Sequence, residues 1–265
     1  MIEKELLDLS IFAALKSGDI LKEGFGTHYS IRSKEGKHNL VTEFDIKSEE
    51  TIINILKKEV PDSEFLAEES GISNSLQGQS VKWVIDPLDG TVNFAHNIPI
   101  FSISIAAVID GEIKCGVIYN PLNGELFTAM KGNGAFLGKK KLQTSNISSL
   151  LDAFLVTGFP YKAGAANNKS AELFINVVQR GIPIRRLGSA ALDLAYVAAG
   201  RFDGFWEMEL RPWDVAAGVI IVQEAGGIVS QFDNSPFNLG DETILATNGL
   251  IHSEVSNFLI NHYEN

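Results

Sequence analysis

Two carboxylates three residues apart, Asp86 and Asp89, lie in the stretch WVIDPLDGTVNF, residues 83–94. Trp83, Val84 and Ile85 read as the end of a buried strand. Pro87 fixes φ and forces a turn, and Gly90 lets the backbone come close to a ligand. Thr91 adds a hydroxyl, and the N–H groups of Gly90 and Thr91 can point at an anion. Hard oxygen ligands beside an anion cradle suit a divalent cation bridged to a phosphate. Asp, Pro and Gly are also ordinary turn residues, so the rest of the chain decides between a site and a surface turn.

Three other stretches place carboxylates where they could join that pair. In LVTEFDIKSEE, residues 40–50, Thr42 reads as a helix N-cap with Asp45 in the first turn. EFLAEES, residues 64–70, reads as a short strand ending in Glu68 and Glu69. In EMELRPWDVAAG, Pro212 opens a helix and Asp214 falls in its first turn. A carboxylate there is favoured by the helix dipole whatever else it does, so position alone assigns no role.

The central stretch resembles the signature of the inositol monophosphatase family, W-[IV]-[IV]-D-P-[IL]-D-G-T-x-N-F, at every position. The segments around Asp45, Glu68 and Asp214 are similar to the family's other motifs and follow in the family's order. Residues 188–218 look most like the bacterial members. The resemblance implies an Mg²⁺-dependent phosphatase with an α/β fold, α+β in detail. Its layers run αβαβα, as in fructose-1,6-bisphosphatase and inositol monophosphatase. It implies a first Mg²⁺ held by Glu68, Asp86 and the Leu88 carbonyl, and a second held by Asp86, Asp89 and Asp214. A third, weaker Mg²⁺ is implied by the resemblance alone. Asp45 would pair with Thr91 to activate a water with help from Glu68. Lys34, eleven residues before Asp45, would act from a loop closing over phosphate. Asp89, Gly90, Thr91 and Asp214 would also line the substrate site, together with Gly188, Ser189 and Ala190. Glu207 would meet ring hydroxyls. A homodimer and sensitivity to Li⁺ are further implications.

Substrate choice is open at this level. A carboxylate and small residues suit a polyol, so inositol 1-phosphate leads. Relatives with the same metal site act on fructose 1,6-bisphosphate, histidinol phosphate or 3′-phosphoadenosine phosphate. YKAGAANNK, residues 161–169, departs from the animal enzymes on that wall of the pocket. The competing class is a protein-interaction module that keeps the fold without turnover.

Apolar periodicity supplies the elements that must carry these residues. An amphipathic helix spans residues 3 to about 22, with Leu7, Ile11, Ala14 and Leu15 on one face and Gly24 as its stop. Polar loops are expected at 30–39 and 71–80. Strands and hairpins dominate 81–142, turning at Asp110-Gly111 and Asn123-Gly124. The Gly132-x-Gly134 pair has no helix after it, so it reads as a turn and not as a nucleotide loop. From residue 144 onward strands alternate with helices. The expected division is residues 1–143, with the antiparallel sheet and most metal ligands, and 144–265, an α/β unit completing the metal and substrate site.

Composition narrows the class. At 265 residues and 45% apolar, the chain can bury a large core. A formal charge of −11 argues against a general nucleic-acid binder. It leaves room for a small anionic substrate, because a bound metal inverts the local field. The lone Cys115 excludes an intrachain disulfide and suits a reducing compartment. With no apolar run near the roughly 20 residues of a membrane span and no leader-like N-terminus, a cytoplasmic protein with no membrane partner is expected.

Overall fold

A computed structural model of the chain describes residues 3–33, 40–73, 81–160 and 169–263. Helix α1 (Glu3–Gly24) is followed by an antiparallel pair, β1 (Ile31–Ser33) and β2 (Leu40–Thr42), and by helix α2 (Glu43–Glu59). Next come β3 (Glu64–Ala67), β4 (Gly71–Ser73), β5 (Lys82–Asp89) and a short helix α3 (Thr91–Ala95). The meander β6 (Ser102–Ile109), β7 (Glu112–Asn120), β8 (Glu125–Met130), β9 (Gly134–Leu137) and β10 (Lys140–Lys141) completes an eight-stranded sheet. Its order is β10-β9-β8-β7-β6-β5-β3-β4, antiparallel except where β3 runs parallel to β5. Five strands form the second sheet: β11 (Leu155–Thr157), β12 (Ile184–Arg185), β13 (Gly204–Met208), β14 (Ile228–Ser230) and β15 (Thr243–Thr247), in the order β12-β11-β13-β15-β14. Helices α4 (Lys169–Gln179), α5 (Ala190–Ala198), α6 (Pro212–Glu224) and α7 (His252–Tyr263) accompany it.

The packing gives five layers in the order αβαβα. Trp83, Ile85, Ile103 and Ile105 turn one face of the large sheet onto α1 and α2. Val84, Ala106 and Ile118 turn the other face onto α5 and α6, whose far side meets Val156, Phe205 and Ala246 of the small sheet. Leu155, Trp206 and Leu245 cover the outer face of that sheet against α4 and α7. Alternation along a strand has period two. Asp86 therefore shares the side of Val84 and faces the middle helical layer, where α6 begins.

Several local expectations change. The face of α1 that is buried is Leu6, Ser10, Ala13, Ala14, Ser17, Gly18 and Leu21, not the Leu7–Ile11–Leu15 stripe. Small residues win because the helix lies very close to the sheet: a Cβ on Gly18 would sit 2.5 Å from Tyr119 Cε1. The strand before Asp86 does not end at Pro87. It continues to Asp89 through a bulge, with Asp86 opposite Ser104 and Asp89 opposite Ser102. Pro87 and Leu88 thus share the space opposite one residue, and the bulge absorbs the missing proline N–H. Residues 71–73 form β4 rather than loop, and Glu68 and Glu69 stand in the turn after β3 rather than in the strand. The Gly132-x-Gly134 turn donates two N–H groups, from Gly132 and Gly134, to the Glu224 carboxylate at 2.7 Å each. Its anion is part of the fold. Cys115 is buried, and burial pushes its thiol up to about 12, an inert core residue.

His252, 3% exposed, holds both ring nitrogens to hydroxyls, Nε2 to Ser230 and Nδ1 to Thr247, each at 2.9 Å. Burial depresses its pKa, so the unfolded chain takes up a proton before the native one does. The stability this residue contributes is present above about pH 6.5 and is lost as pH falls through its lower folded value. His252→Gln should therefore cost about 1–2 kcal/mol at pH 7.5, and urea titrations should show the gap to wild type closing toward pH 5. A gap that widens on acidification would contradict this account.

Candidate active site

Helix α2 buries polar residues at its start. Thr42 caps it, and Asp45 closes a capping box, its Oδ2 accepting from Thr42 N at 2.8 Å and Thr42 Oγ1 at 2.5 Å. That leaves Oδ1, which accepts from Thr91 Oγ1 at 3.0 Å. Thr91 Oγ1 also lies 3.0 Å from the Leu88 carbonyl. One turn along α2, Ser48 donates to the Pro87 carbonyl at 2.8 Å and so ties the helix to the bulge.

Glu49 had no role in the sequence reading beyond its place in LVTEFDIKSEE. Its buried carboxylate accepts from Glu69 N and Ser70 N, each at 2.8 Å, and fixes the turn that presents Glu68. The available signal was spacing: Glu49 follows Asp45 by one helical turn, on the same face. Asn93 was also missed as a link between the sheets. Its Nδ2 donates to Ile100 O at 2.7 Å and Leu187 O at 2.8 Å, pinning the segment that leads to α5. No one-dimensional pattern announces a contact across 94 positions.

Asp89 reaches the second half of the chain. Its Oδ2 accepts from Ser189 Oγ at 2.6 Å and from Ala191 N at 2.8 Å, at the start of α5. Gly188 and Gly90 meet here, Gly90 at φ 97° and Gly188 at φ 83°. A Cβ on Gly90 would stand 3.0 Å from Ile100 O and 3.2 Å from Gly188 O, so both the dihedral and the close approach call for glycine. Asp214 lies in the first turn of α6 and accepts from Arg211 N at 2.6 Å. Glu207, on β13, lies over Gly158, where a Cβ would come within 2.2 Å of its Oε2. Of the predicted substrate residues, Ser189 thus touches Asp89 directly, flanked in the chain by Gly188 and Ala190, and Asp214 is the charged group that acts most strongly on Glu207. Lys34 lies outside the described residues.

Burial and mutual repulsion set the electrostatics of these carboxylates. Burial raises Asp86 well above the carboxylate range, and Glu68, Asp89 and Asp214 push it further. Burial, then Asp89, raises Asp214 in the same way. Asp89 is raised to about 6 by burial, opposed by its bonds to Ser189 and Ala191. Asp89 and Asp214 keep some surface open to solvent, while the surrounding protein strips most of their hydration. Burial also raises Asp45 to about 6 against the hydrogen bonds of Thr42 and Thr91. Among the described residues no group of three or more His, Cys, Asp or Glu is already drawn together as a metal cluster. The carboxylates feel one another without closing on a common point. A divalent cation is the group that relieves burial and mutual repulsion together, and an all-oxygen donor set fits Mg²⁺ better than zinc.

A family model described as "Inositol monophosphatase family" matches residues 3–264. The chain belongs to the inositol monophosphatase family. An inositol-1-monophosphatase from Synechocystis sp. is 43% identical over 253 residues, covering 96% of this chain and 88% of that protein. Nus factor SuhB of Escherichia coli K12 is 45% identical over 234 residues, 86% of this chain and 85% of its own. The crystal structure of the extragenic suppressor protein suhB from Bartonella henselae superposes with a TM-score of 0.90 at 40% identity, over 96% of this chain and 98% of that one. The αβαβα layering is the fold of these inositol monophosphatase relatives, and the chain is a phosphatase of a metal-dependent family. No helix among the described residues is long and apolar enough to cross a membrane.

Proposed function

We propose that this inositol monophosphatase homologue hydrolyses a small polyol phosphate, inositol 1-phosphate first, to the alcohol and phosphate with Mg²⁺ bound. The observation that carries the reading is the bond from Thr91 to Asp45 Oδ1 beside Asp86, Asp89 and Asp214, each raised by burial and by neighbouring carboxylates. Glu68, Asp86, the Leu88 carbonyl, Asp89 and Asp214 would hold two Mg²⁺, with a third weaker ion during turnover. When bound, the metal supplies Lewis-acid stabilisation of charge on the water and on the leaving oxygen.

The chain's own residues handle the proton. Thr91 Oγ1 has one hydrogen and lies within reach of both Asp45 Oδ1 and Leu88 O. While it donates to Asp45, its lone pairs can take a hydrogen bond from the attacking water and orient it. As the water loses its proton to Thr91, Thr91 passes its own to Asp45 Oδ1. Asp45, raised to about 6, is suited to accept a proton near neutrality. Oδ2 stays anchored by Thr42 throughout, and Lys34 would close on the phosphate from its loop. Glu207 with Gly188, Ser189 and Ala190 would select the alcohol. No side chain need be phosphorylated, so attack is in line with inversion at phosphorus.

The synechocystis relative's name supports inositol 1-phosphate as the substrate. The name Nus factor carried by the Escherichia coli relative supports a binding role as the alternative reading. The presence of Asp45, Glu68, Asp86, Asp89, Thr91 and Asp214 together favours the enzyme. The proposal extends to a cytoplasmic homodimer, expected as a two-chain mass in light scattering at micromolar concentration. Phosphate release should be measured with Mg²⁺ over inositol 1-phosphate, fructose 1,6-bisphosphate, histidinol phosphate and 3′-phosphoadenosine phosphate. The highest kcat/KM is expected on inositol 1-phosphate. A clear preference for the adenosine nucleotide would overturn the polyol reading.

A further inference from the structure

Strand β6 carries two hydroxyls on an otherwise apolar face, Ser102 and Ser104 of the stretch FSISI, residues 101–105. Both are buried, and a buried hydroxyl is costly unless it is bonded. Strand pairing sets Ser104 opposite Asp86 on β5 and Ser102 opposite Asp89. By the period of the strand they share the side of Ala106, which packs in the same core as α6. Helix α6 lies hard against this face: a Cβ on Gly116, the β7 partner of Ala106, would stand 2.9 Å from Ala217 Cα and O. At that approach a side chain as short as serine reaches the helix backbone. Ser104 Oγ donates to the Trp213 carbonyl at 3.2 Å. That carbonyl and Asp214 N belong to one peptide unit, and Asp214 N donates to Arg211 O at 3.1 Å. The peptide that carries Asp214 is therefore held at both ends, and one hold is on the strand paired with Asp86. Ser102 reaches toward α5 in the same way: its Oγ lies 3.4 Å from Ser189 Oγ, which donates to Asp89.

We infer that Ser104 is a positioning residue for metal binding: by fixing the Trp213–Asp214 peptide against β6, it sets the spacing of Asp214 from Asp86. Asp86 stands on β5 and is locked to Ser104 by the register of the sheet. Asp214 stands on α6, which the hydrogen bonds of the sheet ladder do not reach. The helix is otherwise held there by apolar packing of Val215, Ala216, Val219 and Ile220. Such packing sets how close the helix lies but is non-directional, so it resists sliding and turning weakly. A directional bond in the first turn fixes both, at the level of the carboxylates. Without a cation between them Asp86 and Asp214 repel each other. A helix start released from Ser104 therefore settles with the two acids further apart, and drawing them onto one ion weakens binding. The inference rests on the reading above that Asp86 and Asp214 share a divalent cation.

The readout is Mg²⁺ binding to EDTA-stripped protein by titration calorimetry, which needs no turnover. Ser104→Ala should raise by roughly three- to tenfold the Mg²⁺ dissociation constant that Asp214→Asn abolishes. Ser256→Ala is the control for a lost buried hydroxyl: Ser256 lies on α7, is 4% exposed and donates to Phe232 O at 2.7 Å. It should lower the melting temperature of the stripped protein about as much as Ser104→Ala does and leave Mg²⁺ binding at the wild-type value. Ser104→Cys, close in size and a weaker donor, should fall between wild type and alanine, and it serves if the alanine variant does not fold. Wild-type Mg²⁺ binding in Ser104→Ala would overturn the inference alone, as would an equal weakening in Ser256→Ala. If alanine does not fold, wild-type binding in Ser104→Cys would overturn it too. Failure of the wild-type protein to bind Mg²⁺ would overturn the metal reading and this inference with it.

Discussion

Replacing Asp214 by Asn should lower Mg²⁺-dependent turnover on the order of 10²–10³-fold while leaving the metal-free protein as stable as wild type or more so. The amide keeps the size of the side chain and an oxygen for Arg211 N, the 2.6 Å bond that helps start α6. Only the charge is lost. Were that charge present merely to favour the helix dipole, its removal would cost about 0.3–1 kcal/mol of stability and leave turnover intact. The raised Asp214 points the other way. Burial and the Asp89 charge both work against its ionisation, so neutralising it relieves repulsion in the metal-free state. Turnover as a function of Mg²⁺, with melting temperature in chelator, should be measured on the same variant. Near-normal turnover at moderate Mg²⁺ would contradict the second metal site whatever the melting temperature does.

Thr91→Ala should lower kcat by roughly 10²-fold or more, and Thr91→Ser should recover most of the loss. The hydroxyl is the piece at stake: it joins the Leu88 carbonyl to Asp45 Oδ1, at 3.0 Å from each. Alanine would remove the proposed route by which a proton reaches Asp45, and it strips a hydrogen bond from a carboxylate that is 0% exposed. Serine restores both with one methyl fewer. Single-turnover phosphate release on the two variants separates this from a packing defect. A serine variant as slow as the alanine one would show that Thr91 acts through its methyl group and not through the proton.

The candidate residues were more legible than the geometry that unites them. Asp86, Asp89, Gly90 and Thr91 lie within six positions of one another, and their types suit a cation beside an anion as well as a turn, a choice that the stretches around Asp45, Glu68 and Asp214 then weight. The hairpin at Asp110-Gly111 was equally plain, because both residues take the positive φ that its turn demands, 53° and 77°. Pro87 misled by local rule: proline signals a break, yet the pairing of β5 with β6 is strong enough to carry the strand past it in a bulge. The stripe expected on α1 failed because apolar size was read as burial, whereas close helix–sheet approach selects Ala13, Ala14, Ser17 and Gly18. Asp89 bonding Ser189 and Ala191, a hundred positions away, is a tertiary fact with no local trace. Glu49 and Asp193 look like the solvated acids of ordinary helices, and only burial distinguishes them.

Phosphate release from inositol 1-phosphate by wild-type protein stripped with EDTA, measured before and after Mg²⁺ is restored, tests the central claim most directly. The account predicts that the stripped protein releases no phosphate above background and that Mg²⁺ alone brings activity back. Full activity after exhaustive chelation would contradict it.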